Sequence, residues 1–266
     1  TSTTVKFQGG QNLNKSGNDT IGYCFHSVEG FSKFGLYTGT GSATDRPIIE
    51  TGFEPAFVII KSSSTGGSTP YHWNIYDNKR NKTNPRNLIL EADTSDADLT
   101  ASTTYIDFLS NGFQIGPTTS GRVNGSGVTY IYMAFAADPD TEAPTVAKSF
   151  STVTYTGNGS NTGPILDLGF KTGLLWLKLR ENISGSSRSS RLHDVIRGED
   201  SYLQSSETDA EAINNDRLNF NYSDTEIQII TASAGWNSSG YDYVAWAWKA
   251  DDNEPTIFGG PAIAVY

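Results

Sequence analysis

One short unit recurs three times in this chain and constrains it more than any other feature. Asn14-x-Ser16-Gly17 leads into Thr20-Ile21-Gly22-Tyr23-Cys24-Phe25, Asn124-x-Ser126-Gly127 into Tyr130-Ile131-Tyr132-Met133-Ala134-Phe135, and Asn237-x-Ser239-Gly240 into Tyr243-Val244-Ala245-Trp246-Ala247-Trp248. The spacing from the Asn to the last aromatic residue is identical in the three copies. Self-similarity of this kind marks repeats of one structural plan. Asn and Gly tolerate left-handed backbone and Ser bonds neighbouring amides, so N-x-S-G is a turn that feeds a strand. Cys24, Ala134 and Ala247 coincide within that strand. They predict a cramped interior position, which makes Cys24 a small hydrophobe rather than a reactive thiol.

The stretches between the copies match as well. Phe31-Ser32 and Tyr37-Thr38-Gly39-Thr40-Gly41-Ser42 correspond to Phe150-Ser151 and Tyr155-Thr156-Gly157-Asn158-Gly159-Ser160. Phe57-Val58-Ile59-Ile60-Lys61 corresponds to Leu174-Leu175-Trp176-Leu177-Lys178, a near-continuous apolar run of strand length expected for a central strand buried on both faces. Tyr76-Asp77 and Arg80 correspond to His193-Asp194 and Arg197, and residues 108–115 correspond to 222–229, either in this register or slipped by one residue. Helical-looking turns are expected near 93–99 and 208–214, and no helix of ordinary length.

The expected fold is all-β, two tandem antiparallel β-sandwich modules. Module one spans 31–138 and module two 150–250. Residues 139–149, with Pro139 and Pro144, form a stiff linker, and 251–266 a C-terminal tail or docking strand. Residues 1–30 end in the closing strand of a preceding module. That strand is expected to pair with an exposed edge, either of module one or of a neighbouring copy. The opening Thr1-Ser2-Thr3-Thr4 does not resemble a translation start, which suggests a piece of something longer. The modules are expected to lie like beads on a stiff rod.

Formal charge is −10 and no Lys/Arg cluster follows a phosphate backbone, which argues against nucleic acid. No apolar run approaches the roughly 18 residues a membrane helix needs, which argues against membrane insertion. With one cysteine, packing rather than an intrachain disulfide must supply stability.

Catalysis would need a nucleophile, base or paired carboxylates in one pocket, and no catalytic residue is assigned. His193 stands where the sister copy has Tyr76, so a ring packed on a loop is favoured over a catalytic base. Asp77 with Arg80, and Asp194 with Arg197, keep their spacing in both copies. Loop-pinning pairs are favoured over a polar handle for a sugar or subunit. Together with Trp73, a loop aromatic that either packs inward or stacks on carbohydrate, these seven residues are the candidate ligand or interface contacts. No metal site is assigned; Asp93, Asp96 and Asp98 offer oxygen ligands to calcium, against which a solvated acidic turn is the favoured reading.

The combination Tyr23-Cys24-Phe25-His26-Ser27-Val28-Glu29-Gly30-Phe31-Ser32-Lys33-Phe34-Gly35, Gly52-Phe53-Glu54-Pro55-Ala56-Phe57-Val58, Tyr76-Asp77-Asn78-Lys79-Arg80-Asn81 and Tyr243-Val244-Ala245-Trp246-Ala247-Trp248-Lys249 resembles a domain of unknown function found in virion proteins of marine tailed phages. The resemblance covers most of residues 14–250. It implies a β-sandwich, jelly-roll or concanavalin-like, used as a building block of an extracellular viral appendage. Module two departs from the pattern with Thr172-Gly173 in place of Pro55-Ala56 and a Ser/Arg-rich insertion at 184–191. The expected role is a non-enzymatic structural subunit of a tail fibre or capsid fibre at the virion exterior. Its partners would be copies of itself, other virion proteins and host surface glycan. The alternative is a carbohydrate-binding adhesin.

Overall fold

The computed structural model describes residues 20–63, 71–136, 149–181, 189–213, 217–220, 222–231 and 235–249. The greater part of the 139–149 linker, the 251–266 tail and most of the 184–191 insertion lie outside them. In module one the strands are β1 (Ser32–Thr38), β2 (Ile48–Glu50), β3 (Pro55–Ser62), β4 (Asn74–Asp77), β5 (Leu88–Glu91), β6 (Leu99–Thr100), β7 (Ile106–Leu109), β8 (Gly112–Ile115) and β9 (Thr129–Ala136). In module two they are β10 (Phe150–Thr156), β11 (Ile165–Asp167), β12 (Thr172–Leu179), β13 (Arg191–Asp194), β14 (Ser201–Gln204), β15 (Ala212–Ile213), β16 (Arg217–Asn219), β17 (Glu226–Ile230) and β18 (Asp242–Lys249). The order β1-β9-β3-β4-β5-β6 is repeated as β10-β18-β12-β13-β14-β15, and β2-β8-β7 as β11-β17-β16. Each module is thus a six-stranded sheet facing a three-stranded one, all antiparallel, and the molecule is two tandem β-sandwiches.

The two recurrent motifs bind each other. The Gly39 N–H donates to the Val128 carbonyl (2.8 Å) and the Gly127 N–H to the Gly39 carbonyl (2.9 Å). A Cβ on Gly39 would sit 2.3 Å from the Gly125 carbonyl oxygen, and one on Gly157 2.2 Å from that of Ser238, so only glycine fits this approach. The Asn of the turn is the hub. Asn124 is fully buried; its amide oxygen accepts from the Thr40 N–H (2.8 Å) and its NH₂ donates to the Ser42 (3.0 Å) and Thr118 (2.7 Å) carbonyls. Asn237 repeats this with the Asn158 N–H (2.7 Å) and the Ser160 (2.9 Å) and Thr231 (2.8 Å) carbonyls. A side-chain amide alone combines one acceptor with two donors at that reach.

Inside each module the sheets enclose a core. Val58 and Ile60 of β3 face Phe108 and Phe113, and Leu175 and Leu177 of β12 face Leu218 and Ile227. The alternate residues point the other way, into a second core between the modules. There Phe57, Ile59, Ile75, Leu90 and Phe135 of module one meet Phe150, Leu174, Val244, Trp246 and Trp248 of module two. Both faces of β3 and β12 are therefore covered, as the unbroken apolar runs require.

Several expectations are corrected. The modules are not beads on a rod but lie face to face, because apolar residues on both sides of β3 and β12 demand cover. No helix forms over residues 93–98 or over 208–213; the Asp98 N–H donates instead to the Arg180 carbonyl of module two (2.9 Å), and Ala212–Ile213 is a strand. Residues 20–27 form no strand, residues 14–19 lie outside the described residues, and Cys24 is half-buried while Ala134 and Ala247 are fully enclosed. The match of 108–115 with 222–229 holds for β8 and β17, since Phe113 pairs with Ile49 as Ile227 does with Leu166. It slips for β7: Phe108 corresponds in register to Phe220, because the hairpin connection is longer in module two, and Tyr222 is exposed.

Candidate functional site

The two predicted Asp–Arg pairs lie at the ends of β4 and β13 beside the seam, Trp73 stands just before β4, and Tyr76 and His193 point into the cores of their own modules. Asp77 closes β4. One carboxylate oxygen accepts from the N–H groups of Lys79 (3.0 Å) and Arg80 (2.8 Å), the other from Arg80 Nε (2.6 Å). The guanidinium goes on to the Ile75 (3.0 Å) and Leu88 (3.2 Å) carbonyls and to Asp98 (2.8 Å), with both side chains of the Asp77–Arg80 pair out of solvent. Burial opposes the Arg80 charge, but Asp77 and Asp98 more than offset it and raise its pKa. Asp194 and Arg197 repeat the arrangement at the end of β13. Asp194 accepts from the Ile196 (3.1 Å) and Arg197 (2.9 Å) N–H groups and from Arg197 Nε (2.6 Å), and Arg197 donates to the Leu192 carbonyl (2.9 Å). Each pair pins a tight loop. In the fully enclosed Asp77–Arg80 pair, removing Arg80 would leave the Asp77 carboxylate buried without a cation, which typically costs about 3–5 kcal/mol.

Each pair also receives an aromatic side chain from elsewhere. Trp246 Nε1 of module two donates to Asp77 (3.3 Å) and its ring lies 5.8 Å from the Arg80 guanidinium. The Tyr23 hydroxyl donates to Asp194 (2.8 Å) and accepts from Arg197 (3.0 Å). Burial, then the neighbouring Asp194, pushes the Tyr23 pKa up. Phe25 follows onto the seam, its ring 5.8 Å from Phe135 and 5.9 Å from Trp248.

Other polar contacts cross the seam. Asp98 binds Arg180 Nε (2.9 Å) as well as Arg80, Lys178 Nζ reaches the Thr94 carbonyl (2.5 Å), and Ser205 Oγ donates to the Ala92 carbonyl (2.5 Å). The remaining predicted residues are structural in placement. Tyr76 is fully buried and donates to the Thr104 carbonyl (2.9 Å). His193 is fully buried between Trp236 (4.4 Å) and Tyr202 (5.6 Å); burial, then Arg191 and Arg197, holds its pKa well below the ordinary value, so the ring is neutral. Trp73 packs against the seam core, and its N–H donates to Asp93 (3.0 Å).

Asp93, Asp96 and Asp98 are not brought together around a cation. Asp93 is engaged by Trp73 and His72, Asp98 by two arginines, and no group of three or more metal-ligating side chains occurs among the described residues. Sequence reasoning missed Tyr23, Trp246, Lys178 and Arg180. The signal available for the first two was their shared position, two residues before the last aromatic of the repeated unit.

The sequence model of one family, described as a domain of unknown function (DUF7483), matches residues 1–139 and again 145–258. Neither among curated proteins nor among solved structures does anything match.

Proposed function

The chain belongs to the DUF7483 family and carries two matches to its domain, and from that premise we propose that it is a non-enzymatic structural subunit of a phage appendage, a tail fibre or capsid fibre. The reading adds to that membership a virion exterior location, assembly with copies of itself and with other virion proteins, and contact with a host surface glycan. The observation that carries it is how the polar residues are employed. The Asp–Arg pairs, Lys178 and Asp98 all hold loops or the seam, and the aromatic residues meet in one shared core. Chemistry of this kind makes a rigid block, which suits a load-bearing part.

The test is location. Purified particles of a phage encoding this chain, examined by mass spectrometry and by immunogold electron microscopy with an antibody to it, are expected to contain the chain and carry label on an appendage. Absence of the chain from purified particles would overturn the proposal. Saturable binding of a bacterial surface glycan, lost in a folded Trp73→Ala variant, would move the reading to an adhesin.

A further inference from the structure

Residue 23 and residue 246 occupy the same position of the repeated unit, and both end on the same motif. Trp246 reaches from module two to Asp77 and Arg80 of module one. Tyr23 reaches across 171 and 174 positions of sequence to Asp194 and Arg197 of module two. The two aromatics differ in chemistry, yet each sends a hydrogen-bond donor to the carboxylate oxygen that its Arg Nε also binds. Tyr23 thus repeats the contact between modules, although residues 20–27 belong to no strand.

We propose that each Asp-x-x-Arg loop is a docking socket for the aromatic residue at this position of the repeated unit, and that residues 20–25 are a detachable plug which module two also accepts from a second copy of this chain. Two observations and one general argument support exchange. The plug's hold on module two runs through the side chains of Tyr23 and Phe25 rather than through a sheet ladder. The plug lies outside the turn that leads into β1, which is closed by reciprocal Val28–Ser32 backbone hydrogen bonds around a left-handed Gly30 (φ 73°), so that turn keeps its own bonds when residues 20–25 leave. Exchanging an identical segment between copies conserves every contact, which makes it a low-cost route to association.

The probe is a peptide of residues 20–30 carrying an N-terminal fluorophore, added under reducing conditions to the full chain and followed by anisotropy. A Tyr23→Ala chain, checked as folded by its near-ultraviolet tryptophan signal, is expected to bind it. The unaltered chain is expected to bind about tenfold or more weakly, because the tethered plug competes at an effective concentration in the millimolar range. A Tyr23→Trp peptide should bind and a Tyr23→Ala peptide should not. Equal affinity for the two chains, no binding to the Tyr23→Ala chain, or undiminished binding of the Tyr23→Ala peptide would each overturn the proposal. If the Tyr23→Ala chain loses its near-ultraviolet signal, Tyr23→Phe replaces it, with the same ranking required.

Discussion

Lys178 carries its ammonium group into the seam, where it is 1% exposed and binds the Thr94 carbonyl and Ser190 Oγ (3.1 Å). Burial drives its pKa from 10.5 down to about 8, against the pull of Asp96 and Glu91. Between those values the unfolded chain holds the proton that the folded chain has released. Folding stability therefore rises with pH across the window, by on the order of 3 kcal/mol. Tyr76 and Tyr155 act in the opposite sense: burial raises both, so the folded state keeps protons that the unfolded state gives up near pH 10, and stability falls above that. The Tm is expected to climb from pH 8 to about 10 and then decline. Lys178→Met should flatten the climb and leave the decline, and a climb unchanged in that variant would reject the assignment. At this scale the Asp-x-x-Arg pairs were legible because spacing was kept in two copies. Their aromatic occupants were not, since those come from positions remote in the chain.

At the scale of the element, the register of β1 on β9 and of β10 on β18 is locked where the two recurrent turns meet. Gly157→Ala drives a Cβ onto the Ser238 carbonyl oxygen, which sits on backbone and cannot swing away. A loss of about 1–3 kcal/mol is expected, as for other overpacked sites, read as a lower denaturant midpoint at unchanged slope. An unaltered midpoint would mean that this approach does not set the register. Turn chemistry is local, so N-x-S-G could be read as a turn from its residues alone, whereas T-G-x-G-S was legible only as a repeated stretch. That they grip one another depends on segments remote in the chain, as the 84-residue separation of Thr40 and Asn124 illustrates. Residues 20–25 failed as a strand for the same reason. Their composition suits one, but strand formation needs a ladder partner that composition does not supply.

For the whole molecule, the seam couples the modules. Phe57, Phe150, Phe135 and Trp248 lie with their ring centres 5.2–6.0 Å from one another, so the two halves share a core as each has its own. Calorimetry should show one cooperative transition, with van't Hoff and calorimetric enthalpies in agreement. Trp248→Ala should cost about 3–5 kcal/mol. Two resolved transitions in the unaltered chain would show that the halves melt independently. The apolar runs of β3 and β12 announced burial on both faces, but they carried no statement of what lay on the far side.

That far side is built from matching positions: Phe57 corresponds to Leu174, Ile75 to Leu192, and Phe135 to Trp248. The consequence falls on synthesis. Once β9 has left the ribosome, module one displays an oily face whose complement has yet to be made, and at about 5–20 residues per second that interval lasts on the order of ten seconds. On a crowded polysome the nearest surface of the right shape is the same nascent face on an adjacent chain. Faster initiation shortens the distance between such faces, so yield of the correctly closed molecule becomes a race between elongation and encounter.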